Sequence, residues 1–269
     1  MTSASEFSTL TLDFETDSGV AILTLDRPDH GNAINGVMAA ELRQAALDLS
    51  YDHSVRAVVV QSFGRVFCGG GDLASFSDAS EDELPKVIDS LTIDLHAAVA
   101  RFAKMDAPVV AAVTGAAGGA GMSLVAACDL VIAGESARFT MGYTKAGLVP
   151  DGTSSFFLAR VVGLRRATEL VLTNRVLSAT EAAEWGLINR VVLDADVRAD
   201  ALTLARSLAA GATRSLGMAK RVLIEGASSA LEEAMERESR YVSASAATGD
   251  AREGIEAFLA KRSARFEGR

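Results

Sequence analysis

The sequence predicts an α/β protein that ends in an all-helical region. Three observations support this fold class: short apolar segments alternate with helical patterns, the strand signal ends near Asp194, and glycine-rich turns follow two predicted strands. Apolar runs at residues 58–60 and 109–111 indicate strands buried on both faces, as in a parallel sheet with crossover helices. We therefore predict a core at residues 1–195 and a helical region at residues 196–269.

Apolar periodicity and turn residues assign the individual elements. Strands are predicted at residues 9–15, 20–26, 57–61, 109–113 and 130–133. Helices are predicted at residues 36–51, 81–105, 120–127 and 154–161 and, in the tail, at 197–210, 213–225, 230–248 and 251–262. The tail helices carry apolar side chains that must cover the α/β body or another subunit: Leu202, Leu208, Met218, Val222, Leu231, Met235, Phe258 and Leu259.

Composition excludes several classes of function. A formal net charge of -9 disfavours a nucleic-acid surface, which needs clustered Lys and Arg. Cys68 and Cys128 lie far apart without a CxxC pattern, so neither a disulfide framework nor a zinc site is expected. The first residues lack a basic segment followed by an apolar one, and the chain has no long uncharged apolar run. We expect a cytoplasmic protein that does not enter a membrane.

Two glycine-rich segments are the chemically informative part of the sequence. They read FCGGGD at residues 67–72 and GAAGGAGMS at residues 115–123, and each lies between a predicted strand and a predicted helix. Such turns let the backbone approach a ligand and expose N–H groups that attract negative charge. Neither a correctly placed GxGxxG nor a GxxxxGK[ST] is present, so a nucleotide cofactor is not expected. Tight packing of a helix on a sheet would explain either segment alone.

Five motifs in order resemble the enoyl-CoA hydratase/isomerase (crotonase) family over nearly the whole chain. They are LDRP with NAI at residues 25–34, FCGGGD at 67–72, PVVAAVTG through CDL at 108–130, AAEWGLINRVV at 182–192 and EGIEAFLAKR at 253–262. The resemblance implies a superhelix of ββα units with a C-terminal helical trimerisation region, giving a homotrimer or hexamer. It implies an acyl-CoA thioester as substrate, with coenzyme A as part of that substrate and no separate cofactor or metal.

The resemblance also assigns site residues. The thioester carbonyl would lie between the backbone N–H groups of Gly71 and Ala120, where each donor stabilises the transition state by about 3 kcal/mol. Substrate contacts are expected from two groups, the glycine-rich segments with their neighbours and the C-terminal end: Cys68, Gly69, Gly119, Ser123, Tyr143, Lys261 and Phe266. Lys261 and Phe266 would reach the coenzyme A of a neighbouring subunit.

The chain departs from the family pattern where hydratases carry two glutamates. Ser123 stands at the first position, and the second falls in FTMGY at residues 139–143, which has no glutamate. Asp151 resembles the single acid/base of the isomerase branches. One carboxylate suits a double-bond shift, because it can remove a proton from C2 and return it at C4. We therefore expect an enoyl-CoA isomerase.

Alternative interpretations remain for these residues. Asp151 could instead cap the helix at residues 154–161, and Asp72 is expected to cap the helix after the first glycine-rich segment. Ser123 and Tyr143 could line the acyl pocket, donate a hydrogen bond or serve only in packing.

Other functions also remain open. His30, His53 and His96 have no nucleophile motif to pair with, so a hydrolytic triad is not expected. Rival hypotheses are hydration with atypical groups, another reaction of the thioester enolate, and an acyl-CoA-binding protein without activity.

Overall fold

The computed structural model describes residues 7–269, and it contains two sheets and eleven α-helices within that range. The first six residues of the predicted 1–195 core lie outside the described residues. The strands are β1 (Leu10–Glu15), β2 (Val20–Leu25), β3 (Ala57–Ser62), β4 (Val66–Cys68), β5 (Val109–Val113), β6 (Ala116–Gly118), β7 (Leu130–Gly134), β8 (Arg138–Thr140), β9 (Leu177–Ser178) and β10 (Arg190–Val192). The helices of the first part are α1 (Gly36–Tyr51), α2 (Leu73–Ser77), α3 (Leu84–Lys104), α4 (Ala120–Ala127), α5 (Ser154–Val162), α6 (Leu164–Thr173) and α7 (Ala179–Glu184). Those of the tail are α8 (Val197–Ala209), α9 (Thr213–Gly226), α10 (Leu231–Ala246) and α11 (Gly249–Leu259).

The two sheets are built from alternating strands of the chain. The larger has the order β1-β2-β3-β5-β7-β10 and is parallel apart from the β1–β2 hairpin. The smaller has the order β4-β6-β8-β9, in which β4, β6 and β8 are parallel. Each of β3, β5 and β7 is followed by a short strand of the second sheet and then by a helix. This repeated ββα turn confirms the predicted fold class.

The central strands β3 and β5 of the larger sheet are buried on both faces, because Ala57–Val60 and Val109–Val113 are apolar at every position. Val58 and Val60 of β3 pack into the main core with α1 and α3. Ala57 and Val59 face the opposite way and pack against α8 through Ala201. The first helix of the predicted tail therefore covers the α/β body. Helix α8 shares a core with the larger sheet, so packing does not mark a boundary at residues 195/196. The division there stays a prediction.

The rest of the tail is less covered by the chain itself. Helix α9 is attached to the body through Lys220, whose ammonium donates to Asp129 Oδ2 and to the Phe102 carbonyl oxygen, both at 2.8 Å. The remaining tail leaves several large apolar side chains exposed: Leu223, Leu231, Met235, Val242, Ile255, Phe258 and Leu259.

Most predicted elements are present within a few residues of their expected bounds. The sequence analysis did not predict α6, α7 and β10, nor the short strands β4, β6, β8 and β9 of the smaller sheet. Two or three residues are too few to show alternation, and β6 consists of two alanines and a glycine. None of the helices within residues 7–269 combines the length and the apolar character needed to cross a bilayer.

Candidate active site

The two glycine-rich segments meet at the carboxyl edge of the smaller sheet. Strands β4 and β6 are parallel neighbours, so the residues after Cys68 and after Gly118 lie side by side. A Cβ atom placed on Gly70 would lie 3.0 Å from the Gly118 carbonyl oxygen and 3.5 Å from the Ala120 nitrogen. Gly70 also has φ +105°, which favours glycine. The backbones can approach this closely only because neither side carries a side chain there.

Two backbone amides are available at this junction. The Gly70 carbonyl oxygen and the Asp72 amide are both bonded to Ile34, which leaves the Gly71 amide between them. The Ala120 amide is in the first turn of α4, where N–H groups have no partner within the helix. Among residues 7–269, neither amide donates to a protein acceptor. Both residues line one cavity of about 370 Å³.

Most of the cavity wall is apolar. It is formed by α2, by α3 and by the segment before α5: Leu73, Phe76, Ile88, Leu91, Ala146, Leu148 and Val149. The polar side chains of the lining are those of Thr92, Thr140, Tyr143 and Asp151. Asp151 is the carboxylate of this lining. The arrangement combines an anion-attracting pair of amides with one carboxylate and hydrocarbon walls.

Side chains from two other elements hold the Asp151 carboxylate. The Tyr143 hydroxyl donates to Oδ1, and Thr92 Oγ1 of α3 donates to Oδ2 at 3.3 Å. The interpretation of Asp151 as a helix cap is wrong. Thr153 occupies the N-cap position of α5, and no side chain caps that helix. The loop brings the carboxylate to the cavity, and only the Asp151 carbonyl oxygen bonds toward α5, through the Ser154 amide.

Ser123 and Tyr143 connect the carboxylate to α4. Ser123 Oγ donates to the Asp151 carbonyl oxygen at 3.0 Å and lies 3.3 Å from Tyr143 Oη. Burial of the Tyr143 ring and then the negative charge of Asp151 raise the pKa of the Tyr143 phenol well above its usual range. The phenol therefore stays a donor to Asp151 at neutral pH.

Helix α3 supports the same loop through His96. His96 Nε2 accepts a hydrogen bond from the Gly152 amide at 3.1 Å, one turn along α3 from Thr92. A Cβ atom on Gly152 would lie 2.9 Å from Ser123 Cβ, so the loop is enclosed between α3 and α4. Sequence reasoning missed Thr92 and gave His96 no role. Their i,i+4 spacing beside the buried Leu91 and Leu95 was the available signal.

Asp72 performs the predicted capping role. Its Oδ1 accepts from the Ser75 amide at 3.2 Å at the start of α2, and its Oδ2 accepts from Arg27 at 2.9 Å. Burial alone would raise the pKa of Asp72, but the hydrogen bonds from Arg27 and Ser75 hold it below its usual value. The carboxylate is therefore structural and points away from the cavity lining.

Three predicted substrate-binding side chains lie elsewhere. Cys68 is fully buried beneath α4: a Cβ atom placed on Gly121 of that helix would lie 2.7 Å from the Cβ atom of Cys68. Burial raises the pKa of the Cys68 thiol to about 11, so it packs and does not line the cavity. Phe266 packs near Gly254, and Lys261 is exposed with φ 53°. Neither lines the cavity of its own chain; contact with a neighbouring subunit's substrate stays a prediction. Gly69 and Gly119 do line it.

Comparisons with known proteins agree with this geometry. The enoyl-CoA hydratase/isomerase family model matches residues 15–269. A 1,2-epoxyphenylacetyl-CoA isomerase of Escherichia coli K12 is 38% identical over 253 residues, covering 94% of this chain and 97% of the relative. A 4-chlorobenzoyl coenzyme A dehalogenase-1 of Arthrobacter sp. is 38% identical over 231 residues, covering 86% and 84%. The crystal structure of an enoyl-CoA hydratase from Polaromonas sp. JS666 matches with a TM-score of 0.90 and 33% identity, covering 96% and 99%.

The repeated ββα turn and the two glycine-rich segments at one cavity, together with these relatives, define a class of acyl-CoA enzymes. The chain belongs to the enoyl-CoA hydratase/isomerase family.

Tyr143 is expected to remain protonated at about pH 11, one unit above the ordinary tyrosine pKa of about 10. Its folded-state pKa is raised, so its contribution to stability is complete below about pH 10 and declines only above that. Ultraviolet difference spectra of the folded wild type and Tyr143→Phe should show the same tyrosinate signal. An additional titrating tyrosine in the wild type would contradict this environment for Tyr143.

Proposed function

We propose that the protein is an acyl-CoA enzyme that stabilises a thioester enolate and shifts a carbon–carbon double bond, with Asp151 as its single acid/base. One observation supports this most directly: the Asp151 carboxylate and the Gly71 and Ala120 amides line the same cavity. Two N–H donors lower the energy of the negative charge that develops on the thioester oxygen. A carboxylate in the same cavity can then move one proton between two carbon atoms of the acyl chain.

The polar groups around the cavity favour isomerisation over hydration. Hydration by the usual family mechanism requires two carboxylates, one for the water and one for the α-carbon. The two corresponding positions carry Ser123 and the segment at residues 139–143, and the Ser123 and Tyr143 hydroxyls instead contact Asp151. In the part of the chain that the structure describes, the cavity lining contains Asp151 as its one carboxylate. A second proton-transfer group for water is therefore missing from the lining.

The cavity wall also supports a hydrocarbon acyl group. Its side chains are largely aliphatic or aromatic, and burying each CH₂ of a substrate contributes about 0.8 kcal/mol. The names of two relatives specify acyl-CoA substrates that carry a six-membered carbon ring, and a cavity of about 370 Å³ has room for one ring. Coenzyme A would enter as part of the substrate, and no separate cofactor is proposed.

Replacing Asp151 by Asn should reduce isomerisation of a 3-enoyl-CoA at least about a hundredfold, the lower range for general acid–base catalysis. The amide keeps the size of the side chain and can still accept from Tyr143, but it cannot take up a proton. Turnover is measured by the absorbance of the conjugated 2-enoyl thioester, and deuterium uptake at the α-carbon in deuterium oxide is followed in parallel. Near-full activity would show that another group moves the proton.

Asp94→Asn serves as the matched control for this variant. Asp94 is on α3, two residues from Thr92, but it pairs with Arg43 at 2.7 Å and does not line the cavity. Its activity should equal that of the wild type. Addition of water to a 2-enoyl-CoA by the wild type would favour a hydratase, and tight coenzyme A binding with neither reaction would favour a protein without activity.

A second candidate uses the same carboxylate as a nucleophile. The 38% identity to a 4-chlorobenzoyl coenzyme A dehalogenase and the single carboxylate in the cavity lining both suit attack of that carboxylate on the ring carbon that carries chlorine; chloride would leave, and water would then hydrolyse the aryl ester. Incubation with 4-chlorobenzoyl-CoA distinguishes the candidates. Chloride release by the wild type that is lost in Asp151→Asn would establish dehalogenation by this carboxylate. A chloride concentration that does not rise with the wild type would exclude it.

The Gly71 amide should be essential in itself. Gly71→Pro removes the N–H, and Gly71→Ala keeps it while placing a Cβ atom 3.1 Å from the Phe76 ring. We expect at least about a hundredfold loss of kcat for the proline variant, as for loss of one oxyanion donor, and a smaller loss for the alanine variant. Circular dichroism verifies folding. Equal losses in the two variants would point to crowding by the added side chain and against the donor.

We also propose that the exposed apolar side chains of α9 to α11 form subunit contacts in a trimer or hexamer. Single exposed apolar residues are ordinary, but Phe258 and Leu259 are 83% and 75% exposed side by side at the end of α11. Light scattering should give three or six times 28.0 kDa. Phe258→Glu should lower the mass of the assembly. Tyr51 is an exposed residue of α1, outside the tail, and Tyr51→Glu should leave the mass unchanged. A folded monomer at micromolar concentration would refute the assembly.

A further inference from the structure

A short segment at the start of the chain runs beside the first glycine-rich segment and is bonded to it along its length. We call residues 27–34 the brace segment. The Gly69 amide donates to the Gly31 carbonyl oxygen at 2.9 Å, the Ile34 amide to the Gly70 carbonyl oxygen at 2.7 Å and the Asp72 amide to the Ile34 carbonyl oxygen at 3.0 Å. The brace segment therefore fixes the backbone on both sides of Gly71.

The last two of these bonds set the direction of the Gly71 amide. Ile34 and Gly71 form a parallel bridge, in which Ile34 bonds to the residues before and after Gly71. In such a bridge the N–H of the central residue points away from its partner. The Gly71 N–H therefore faces the cavity only while Gly70 and Asp72 stay bonded to Ile34.

Arg27 joins the two segments through its side chain. Its Nη1 donates to the Ala33 carbonyl oxygen at 2.5 Å in the brace segment and to Asp72 Oδ2 at 2.9 Å, directly after Gly71. The side chains of Arg27 and Asp72 are only 13% and 10% exposed, so solvent screens their attraction weakly. Arg27 is outside the cavity lining and cannot touch an acyl group there.

The brace segment itself is held at its turn by Asn32. Asn32 is fully buried with φ 51°, its Oδ1 accepts from the Arg27 amide at 2.8 Å, and its Nδ2 donates to the carbonyl oxygens of Phe63 and Val66 at 2.8 and 2.7 Å. These bonds attach the brace segment to the turn between β3 and β4 and to the first residue of β4. Arg27 therefore extends from a rigid turn, and its contact with Asp72 transmits that rigidity to Gly71.

We infer that Arg27 is a positioning residue: its bonds to Ala33 and Asp72 hold the Gly71 N–H at the angle that polarises the substrate carbonyl. The inference rests on the proposed function, because it assumes that a thioester oxygen binds at this amide. Loss of Arg27 leaves the donor present but removes one of the restraints on its direction. The effect on kcat is therefore smaller than outright removal of the donor, which costs about a hundredfold or more.

The test measures polarisation of the carbonyl directly. Hexanoyl-CoA labelled with ¹³C at C1 is bound to the wild type, Arg27→Met and Lys220→Met, and the infrared stretch of the bound carbonyl is compared with that of the free thioester. Lys220→Met is the control because it also breaks a largely buried ion pair, to Asp129, on α9 and outside the cavity lining. Coenzyme A binding, kcat and KM for a 3-enoyl-CoA and thermal unfolding are measured on each protein.

In the wild type and in Lys220→Met, we expect the bound carbonyl to have a lower stretching frequency than the free thioester. In Arg27→Met, we expect at most half of that lowering. The same variant should lose about tenfold in kcat, within the range below donor removal, with coenzyme A affinity changed less than twofold. If Arg27→Met does not fold, Arg27→Gln is read in the same way, since its neutral and shorter side chain cannot carry the ion pair to Asp72 while it remains polar. A partial return of the frequency supports the inference.

The outcomes distinguish failure of the proposed amide site from failure of the positioning role of Arg27. An unshifted carbonyl in the wild type would overturn the proposed amide site and, with it, the inference. A shifted carbonyl in the wild type with an equal shift in the folded Arg27 variant would overturn the positioning role alone. A loss of shift in Lys220→Met equal to that in Arg27→Met would also overturn it, because general destabilisation would then explain the effect.

Discussion

The close approach of two backbones at the edge of the smaller sheet is the constraint on which the site depends. The Gly70 and Gly118 segments lie so near each other that a side chain on Gly70 would contact the opposite carbonyl group. This approach places two amides from distant parts of the chain on one cavity. It also requires β4 and β6 to be parallel neighbours, which the repeated ββα turn provides. The site therefore requires both the glycines at the junction and the parallel pairing of β4 with β6.

The carboxylate side of the cavity is built differently, from side chains of helices. Asp151 sits in a loop with no regular structure, and α3 and α4 enclose that loop through Thr92, His96 and Ser123. Loops without such support are usually mobile, and a base must stay within hydrogen-bond reach of its proton. The helices supply the rigidity that the loop lacks, while Tyr143 occupies one carboxylate oxygen.

The sequence was sufficient for features that depend on local pattern. Apolar runs such as β3 and β5, the helix at Gly36–Tyr51 and both glycine-rich segments were predicted from neighbouring residues alone. The short strands of the smaller sheet were not, because their only support is pairing with distant strands. Contacts such as Thr92 with Asp151, 59 residues apart, leave no periodic signal. The burial of the Cys68 side chain also has no local signal, because whether a strand residue faces the core depends on the sheets and helices packed against it.

The unequal environment of the two Asp151 oxygens has a stereochemical consequence. Oδ1 accepts from the Tyr143 hydroxyl, and Oδ2 accepts the longer hydrogen bond of 3.3 Å from Thr92 Oγ1, so under the proposed function Oδ2 would be the oxygen that exchanges a proton with the acyl chain. A base confined to one wall reaches only one face of the planar dienolate. An enzyme working in this way would remove and return the proton on the same face, and part of an isotopic label at C2 would reappear at C4 of the same molecule.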